Sequence, residues 1–149
     1  MKVHIEVDSS MPEDEILIRC GRADGNIQDI CRLLLENGSC EPSITFFKEN
    51  MEFYFPLNNV LFFETDGERI YAHTEDDAYL IKHRLYELEN MLPRNFVRVS
   101  KSAIVNAAKV YSVARNLTSA SLIQFSESHK QIYASRNYYK YLQQRLQER

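Results

Sequence analysis

The 149-residue chain has no tryptophan, only four glycines and four prolines, and three cysteines. Each shortage closes off a class of protein. Gly21, Gly25, Gly38 and Gly67 form neither a Walker A loop nor a GxGxxG turn, so the backbone cradle for nucleotide phosphates is missing and nucleotide hydrolysis is disfavoured. Cys20, Cys31 and Cys40 are odd in number and include no CxxC pair, which reads as free thiols in a reducing compartment. No apolar run approaches the roughly 20 residues that cross a bilayer, and the opening MKVHIEVDSSMPEDE lacks an apolar stretch of signal-peptide length. The expected location is the cytoplasm.

Catalytic and metal chemistry are equally short of residues. His4, His73, His83 and His129 are scattered, with no two His or Cys at a short ligand spacing, and read as solvated or hydrogen-bonded histidines. There is no GxSxG, and the cysteines sit in acidic or apolar stretches that do not activate a thiol. Glu75-Asp76-Asp77 lacks the further oxygen ligands of a calcium loop and reads as a solvated turn. Glu87 and Glu89, two apart on a helix, point in different directions and cannot act as a catalytic pair. No enzyme activity, cofactor, metal or small-molecule substrate is expected.

What the chain does have is a folded composition, 44% hydrophobic and 26% charged, and a lopsided charge. Residues 1–93 hold 8 Lys and Arg against 19 Asp and Glu, a balance of −11, whereas residues 94–149 hold 10 against 2, a balance of +8. Such a split suggests a basic surface for a polyanion, kept soluble by an acidic half.

Val3, Ile5 and Val7 alternate with Lys2, His4 and Glu6, which predicts a half-buried strand. A second apolar run, Ile16-Leu17-Ile18, follows an acidic turn at 12–15. Ile27, Ile30, Cys31 and Leu34 then fall at helical spacing, with Asp24 or Asn26 as N-cap and Asn37-Gly38 as the stop signal. Residues 1–42 are thus expected as a small β-β-α extension that cannot hold a core of its own. It must pack on the rest of the chain or on a second copy.

Residues 43–149 are expected as a mainly β body with short helices. Short β-branched and aromatic runs at 44–47, 52–55, 60–63, 69–73, 110–114, 121–125 and 131–134 predict its strands. Asp66-Gly67 predicts a hairpin with a type I′ turn. One helix, with Ile81, Leu85, Leu88 and Leu92 on a face and Pro93 as its stop, interrupts the strands. Another starts after Ser135, with Tyr138, Tyr141, Leu142 and Leu146 on one side. Asn106, inside an apolar strand, is expected to be structural through a buried hydrogen bond.

In the basic half, Arg94, Arg98, Lys101, Lys109, Arg115, Lys130, Arg136 and Lys140 are interleaved with small hydroxyl and amide side chains. Cations attract phosphate, and Ser or Asn in loops can donate to phosphate or base edges. Several of these residues lie where strands end, so they are expected to project together from one rim.

Five segments then occur in a telling order. Val60-Leu61-Phe62-Phe63-Glu64 is followed by Tyr71-Ala72-His73-Thr74; the run from Leu85 to Pro93 fits "LxxLExxLP"; the run from Phe96 to Asn106 matches "FxRxHxSxIVN"; and Ala134-Ser135-Arg136-Asn137-Tyr138 matches a terminal "SR" helix start. Together, over residues 44–146, they resemble the LytTR-type DNA-binding domain. The resemblance implies a β-rich domain that sets loops into the major grooves of promoter DNA, contacts the backbone between them and often bends the duplex. It implies a sequence-specific transcriptional regulator.

Carried over by position, the resemblance gives Glu68, Arg69, Lys101, Arg136 and Asn137 as base contacts. Arg98, Ser100, Ser102, Lys109, Arg115, Asn116, Ser135 and Lys140 become phosphate contacts. Ser100 stands where the family usually has His, and Glu68 stands where a base-reading donor is expected, although a carboxylate can accept from cytosine N4. Lys101, at a loop tip, can reach guanine O6 and N7.

Many LytTR relatives carry a receiver domain ahead of this module, and 42 residues are too few for one. The expectation is a stand-alone regulator whose extension makes a homodimer, and the resemblance adds a membrane protein encoded nearby as a restraining partner. The rival readings are a protein-interaction module with an incidental basic rim, and an RNA binder using sheet aromatics such as Tyr71, Tyr111 and Tyr133. Aromatics on strands are more often buried in the core.

Overall fold

The structure, a computed structural model, describes residues 2–12, 14–39 and 42–148. Glu13 of the acidic turn and Cys40 lie outside them. The chain divides into two compact units, Met1–Cys40 and Glu41–Arg149.

In the first unit α1 (Gly25–Ser39) forms where the apolar spacing predicts it. Asp24 is its cap: the carboxylate accepts from the Ile27 N–H at 3.2 Å, and the Asp24 carbonyl accepts the Gln28 N–H at 3.1 Å. The helix continues through Asn37-Gly38 to Ser39 rather than stopping there. The two strands expected before it do not form, since residues 2–12 and 14–24 pair with no strand. An extended segment needs a neighbouring edge for its N–H and C=O groups, and alternation of side chains alone does not supply one. The β-β-α expectation reduces to its helix.

Among the described residues the second unit runs β1 (Phe46–Lys48), β2 (Met51–Phe53), a 3-10 turn at Leu57–Asn59, β3 (Phe62–Asp66), β4 (Arg69–His73), β5 (Ala78–Ile81), α2 (Leu85–Met91), β6 (Phe96–Ser100), β7 (Ala103–Asn106), a second 3-10 turn at Ala107–Lys109, β8 (Val110–Ala114), β9 (Ser121–Phe125), β10 (Gln131–Ala134) and α3 (Tyr139–Glu148). Seven strands form one antiparallel sheet in the order β2-β1-β5-β4-β3-β7-β6, and three form a second in the order β10-β9-β8. The mainly β body is as the sequence predicts. β5, β6 and β7 are additions to the strand runs named from the sequence, of which only the setting of Asn106 in β7 was anticipated; Ile81, read as the first residue of a helical face, sits in β5, and α2 begins only at Leu85.

The turns also rearrange the expected signals. Asp66 pairs with Arg69, so the two-residue loop is Gly67-Glu68, and only Gly67 has positive φ (63°), the pattern of type II′ rather than I′. Positive φ at both central positions occurs instead at Glu49 (52°) and Asn50 (62°), which join β1 to β2.

Two cores flank the large sheet. Phe62 packs with Leu61, Val97, Val99, Val105, Ile123, Phe125, Ile132 and Leu142, which join both sheets and α3. Its neighbour Phe63 points the other way, into Ile44, Phe46, Ile70, Ile81, Leu85, Leu88 and Ile104. Each such large side chain contributes about 1.5–3 kcal/mol when fully buried. Phe62-Phe63 of β3 and Ala103–Val105 of β7 are therefore buried on both faces, which is why they form continuous apolar runs rather than alternations.

Candidate nucleic-acid interface

The register decides which turns share an end of the domain. Glu64 pairs with Ala103, so the end of β3 lies beside the start of β7, and the β3–β4 turn lies beside the β6–β7 turn. The Thr65 N–H donates to the Ser102 carbonyl at 2.8 Å and ties the two turns together. A bulge between Arg98 and Ser100 interrupts the β6–β7 ladder at Val99. The Val99 carbonyl accepts the Ser135 N–H at 2.8 Å, which brings the segment before α3 to the same end. Ala134 pairs with Ser121, so the β8–β9 loop arrives there as well.

The β6–β7 turn carries Lys101 at an exposed tip. Beneath it the Arg98 guanidinium donates to the Ser100 carbonyl (2.7 Å), the Lys101 carbonyl (2.6 Å) and the Glu89 carboxylate (2.9 Å). Arg98 is thus occupied within the protein and fixes the turn. The Ser100 hydroxyl accepts the Ser102 N–H at 3.1 Å and lies 3.3 Å from the Ser102 hydroxyl, a side-chain turn closure.

The β8–β9 loop is fixed in a similar way. The Asn116 carboxamide oxygen accepts from the Thr118 N–H (3.0 Å) and hydroxyl (3.1 Å), and the Asn116 N–H donates to the Ser121 hydroxyl (3.1 Å). Arg136 donates to the Thr118 carbonyl at 3.3 Å, and the Arg115 guanidinium lies 5.0 Å over the Tyr139 ring. Leu117, Thr118 and Ser119 thus stand at the rim, where the sequence analysis names only Arg115 and Asn116. The loop's detectable signal was the Asn two residues before a Thr.

Arg69, Glu68, Lys101, Arg115, Asn116, Arg136, Asn137 and Lys140 are exposed at this end. Among the described residues Arg69, Lys101 and Arg115 have no ion-pair partner. The Ser135 hydroxyl is buried and without a hydrogen-bond partner; the residue lines a cleft of about 340 Å³ with Glu64, Ser100, Ser102, Gln131 and Tyr133. Tyr111 and Tyr133 are 77% and 61% exposed, so these strand aromatics are not in the core.

Not every basic residue joins the rim. Lys109 ends the 3-10 turn after β7, at the opposite end of that strand, and its carbonyl accepts the Ser126 N–H at 2.9 Å. Lys130 lies at that far end too, donating to the Asp77 carbonyl and standing 3.4 Å from His73 Nδ1. There Asp77 pairs with Lys48, whose hydrogen bond holds its carboxyl below the ordinary carboxylate value. Burial, helped by Lys130, lowers His73 to about 4. The topology separates the cations: several meet at the rim, whereas Lys109 and Lys130 stand at the far end, where Asp77 of the turn between β4 and β5 meets Lys48 and Lys130.

Asn106 is structural, as its setting in an apolar strand predicts. It is fully buried, accepts from the Asn95 carboxamide (2.8 Å) and the Ala108 N–H (3.1 Å), and donates to the Val60 carbonyl (3.1 Å). No helix among the described residues is long and apolar enough to cross a membrane.

Known proteins share this architecture. A solved structure described as a LytTr DNA-binding domain from Bacillus cereus is similar with a TM-score of 0.64 at 23% identity, covering 70% of this chain and 97% of that one. Proteins described as HTH-type transcriptional regulators from Staphylococcus aureus strains NCTC 8325 / PS 47 and MRSA252 are 25% and 24% identical over 146 residues, each match spanning 98% of both chains. The LytTr DNA-binding domain family matches residues 51–147, which include all four turns of the basic rim, and the chain belongs to that family.

Proposed function

We propose that this protein is a transcriptional regulator that binds promoter DNA through the turns at one end of its β domain. The observation that carries this reading is the convergence of Arg69, Lys101, Arg115 and Arg136 from four separate turns onto one rim, with the turns locked by internal hydrogen bonds. Fixed donors in a row fit a duplex better than flexible ones, because less ordering entropy is lost on binding. Lys101, Arg69, Arg136 and Asn137 are the base-reading set, with Glu68 beside them as an acceptor for cytosine N4. Ser100, Ser102, Arg115, Asn116 and Lys140 contact phosphate. Arg98 positions the Lys101 turn, Ser135 ties β6 to the start of α3, and Lys109 stands outside the contact set.

The names of the relatives carry a helix-turn-helix label. In this fold strand-end turns, not a helix pair, occupy the rim. We place the regulator in the cytoplasm as a homodimer, with a membrane protein encoded nearby as its restraint.

Fluorescence anisotropy with a duplex from upstream of its own gene and a scrambled duplex, each at two salt concentrations, tests the reading. Tight, salt-sensitive binding with a clear preference for the first supports it, because counterion release scales with the phosphates contacted. Absence of binding to either at low salt refutes it in favour of a protein-interaction module.

A further inference from the structure

Among its described residues the first unit carries exposed apolar side chains. Val3, Ile5 and Val7 are 84%, 80% and 89% exposed, and Ile16 and Leu17 are 70% and 67% exposed. Leu33 and Leu34 on α1 are exposed too, while Ile27, Ile30 and Cys31 are only partly buried. Yet residues 2–8 have the alternation of a strand with one wet and one dry face. The Staphylococcus aureus relatives match over 98% of both chains, so the alignment takes in the first unit as well as the β domain.

Residues 2–8 are self-complementary. Laid antiparallel against the same residues of a second copy about Ile5, the dry face sets Val3 against Val7 and Ile5 against Ile5, while the wet face sets Lys2 against Asp8 and His4 against Glu6. Both sets obey a two-fold axis, as an isologous contact requires. Cross-strand pairs of apolar with apolar, and of cation with carboxylate, are what stabilise an antiparallel ladder. A parallel in-register pairing sets Lys2, Glu6 and Asp8 each against itself, and an antiparallel slip by two residues sets Glu6 against Glu6. Charge thus disfavours these two, and the opposite slip, which sets His4 against His4, leaves Val7 without a partner among residues 2–8; the arrangement about Ile5 pairs every residue of the segment.

We propose that residues 2–8 pair with residues 2–8 of a second copy as a two-fold antiparallel β-ribbon centred on Ile5, its dry face covered by the apolar faces of the two α1 helices. A lone two-stranded ribbon is marginal in water and needs such a cover. Ile27, Ile30, Cys31 and Leu34 provide it from the same unit. The strand pattern in the sequence then has its missing edge, and the acidic unit pairs through the few positions where its charges alternate in sign.

Sedimentation equilibrium of the full chain without DNA measures the association directly. The expected result is a reversible dimer. Ile5→Asp, which sets two carboxylates against each other at the axis, should weaken it by about tenfold or more. Lys2→Glu and Asp8→Lys should each weaken it, and the two together should restore it, a rescue that general misfolding cannot mimic. A chain that stays monomeric at high micromolar concentration, a dimer indifferent to Ile5→Asp, or a charge swap without rescue overturns the proposal. No DNA enters the measurement, so its failure is separate from failure of the DNA-binding reading.

Discussion

The guanidinium of Arg98 reaches under the β6–β7 turn and donates to the carbonyl of Lys101 across 2.6 Å. A strand residue thereby sets the height and direction of the cation at the tip. Arg98→Gln removes the two-pronged support while leaving Lys101 in place. The expected outcome in anisotropy titrations is a clear fall in preference for the specific duplex with an unchanged slope of affinity against salt. A slope lower by about one would instead mark Arg98 as a phosphate contact.

Lys101→Ala should cost about 1–3 kcal/mol on the preferred sequence and relax preference at one base position. Lys109→Ala, at the other end of β7, should stay within about 0.5 kcal/mol on every duplex. Titrating both variants against a panel of single-base changes checks the pair.

Glu68 is an exposed carboxylate on the turn next to Arg69. Glu68→Gln removes a charge that repels phosphate, so binding to scrambled DNA should tighten severalfold at low salt and converge with the parent at high salt. If Glu68 reads a cytosine, the same variant also loses preference at that position.

Asn106→Ala leaves the Val60 carbonyl and the Ala108 N–H without their side-chain partner inside the protein. The buried Val60 carbonyl so orphaned costs about 1–3 kcal/mol, the part-exposed Ala108 N–H less, and urea unfolding should show a lower midpoint with an unchanged slope. DNA binding of the fraction that remains folded should be near normal, which separates this residue from the rim.

His73 is held near 4 by burial and by Lys130, well under its ordinary 6.5. Between those two values the unfolded chain binds the extra proton and the folded one does not, so stability rises with pH across this window. The penalty is absent above about 6.5 and complete below about 4. His73→Phe, which keeps a ring against Phe62, should flatten the dependence of Tm on pH in that range; the parent rings stack at 4.4 Å.

Most of the β domain was legible because its signals are local. Short aromatic and β-branched runs marked β3, β4, β8, β9 and β10, and Pro93 marked the end of α2, whereas α3 begins at Tyr139, beyond a turn that follows Ser135. β5 was not, because Ile81 happens to stand four residues before Leu85 and so extends a helical face by coincidence of period. The strands expected at Val3 and Ile16 failed for a different reason, since side-chain alternation describes a half-buried strand but not where its partner edge is. Within the site, the loop positions of Lys101, Arg69 and Arg136 could be read from motif order. The removal of Lys109 to the far end required the pairing of Glu64 with Ala103, a contact between segments 39 positions apart that no local pattern encodes.

Phe62 and Phe63 send successive side chains of β3 into two different cores, and Val105 and Ile104 do the same on β7. The strands that bear the rim are thus clamped from both sides, like a blade between two jaws. A mismatch between the spacing of the turns and the spacing of grooves in straight DNA cannot be relieved by the protein giving way. The duplex must supply the compliance, so operators with flexible pyrimidine–purine steps between the contacted grooves will bind more tightly than stiff ones carrying the same contacted bases.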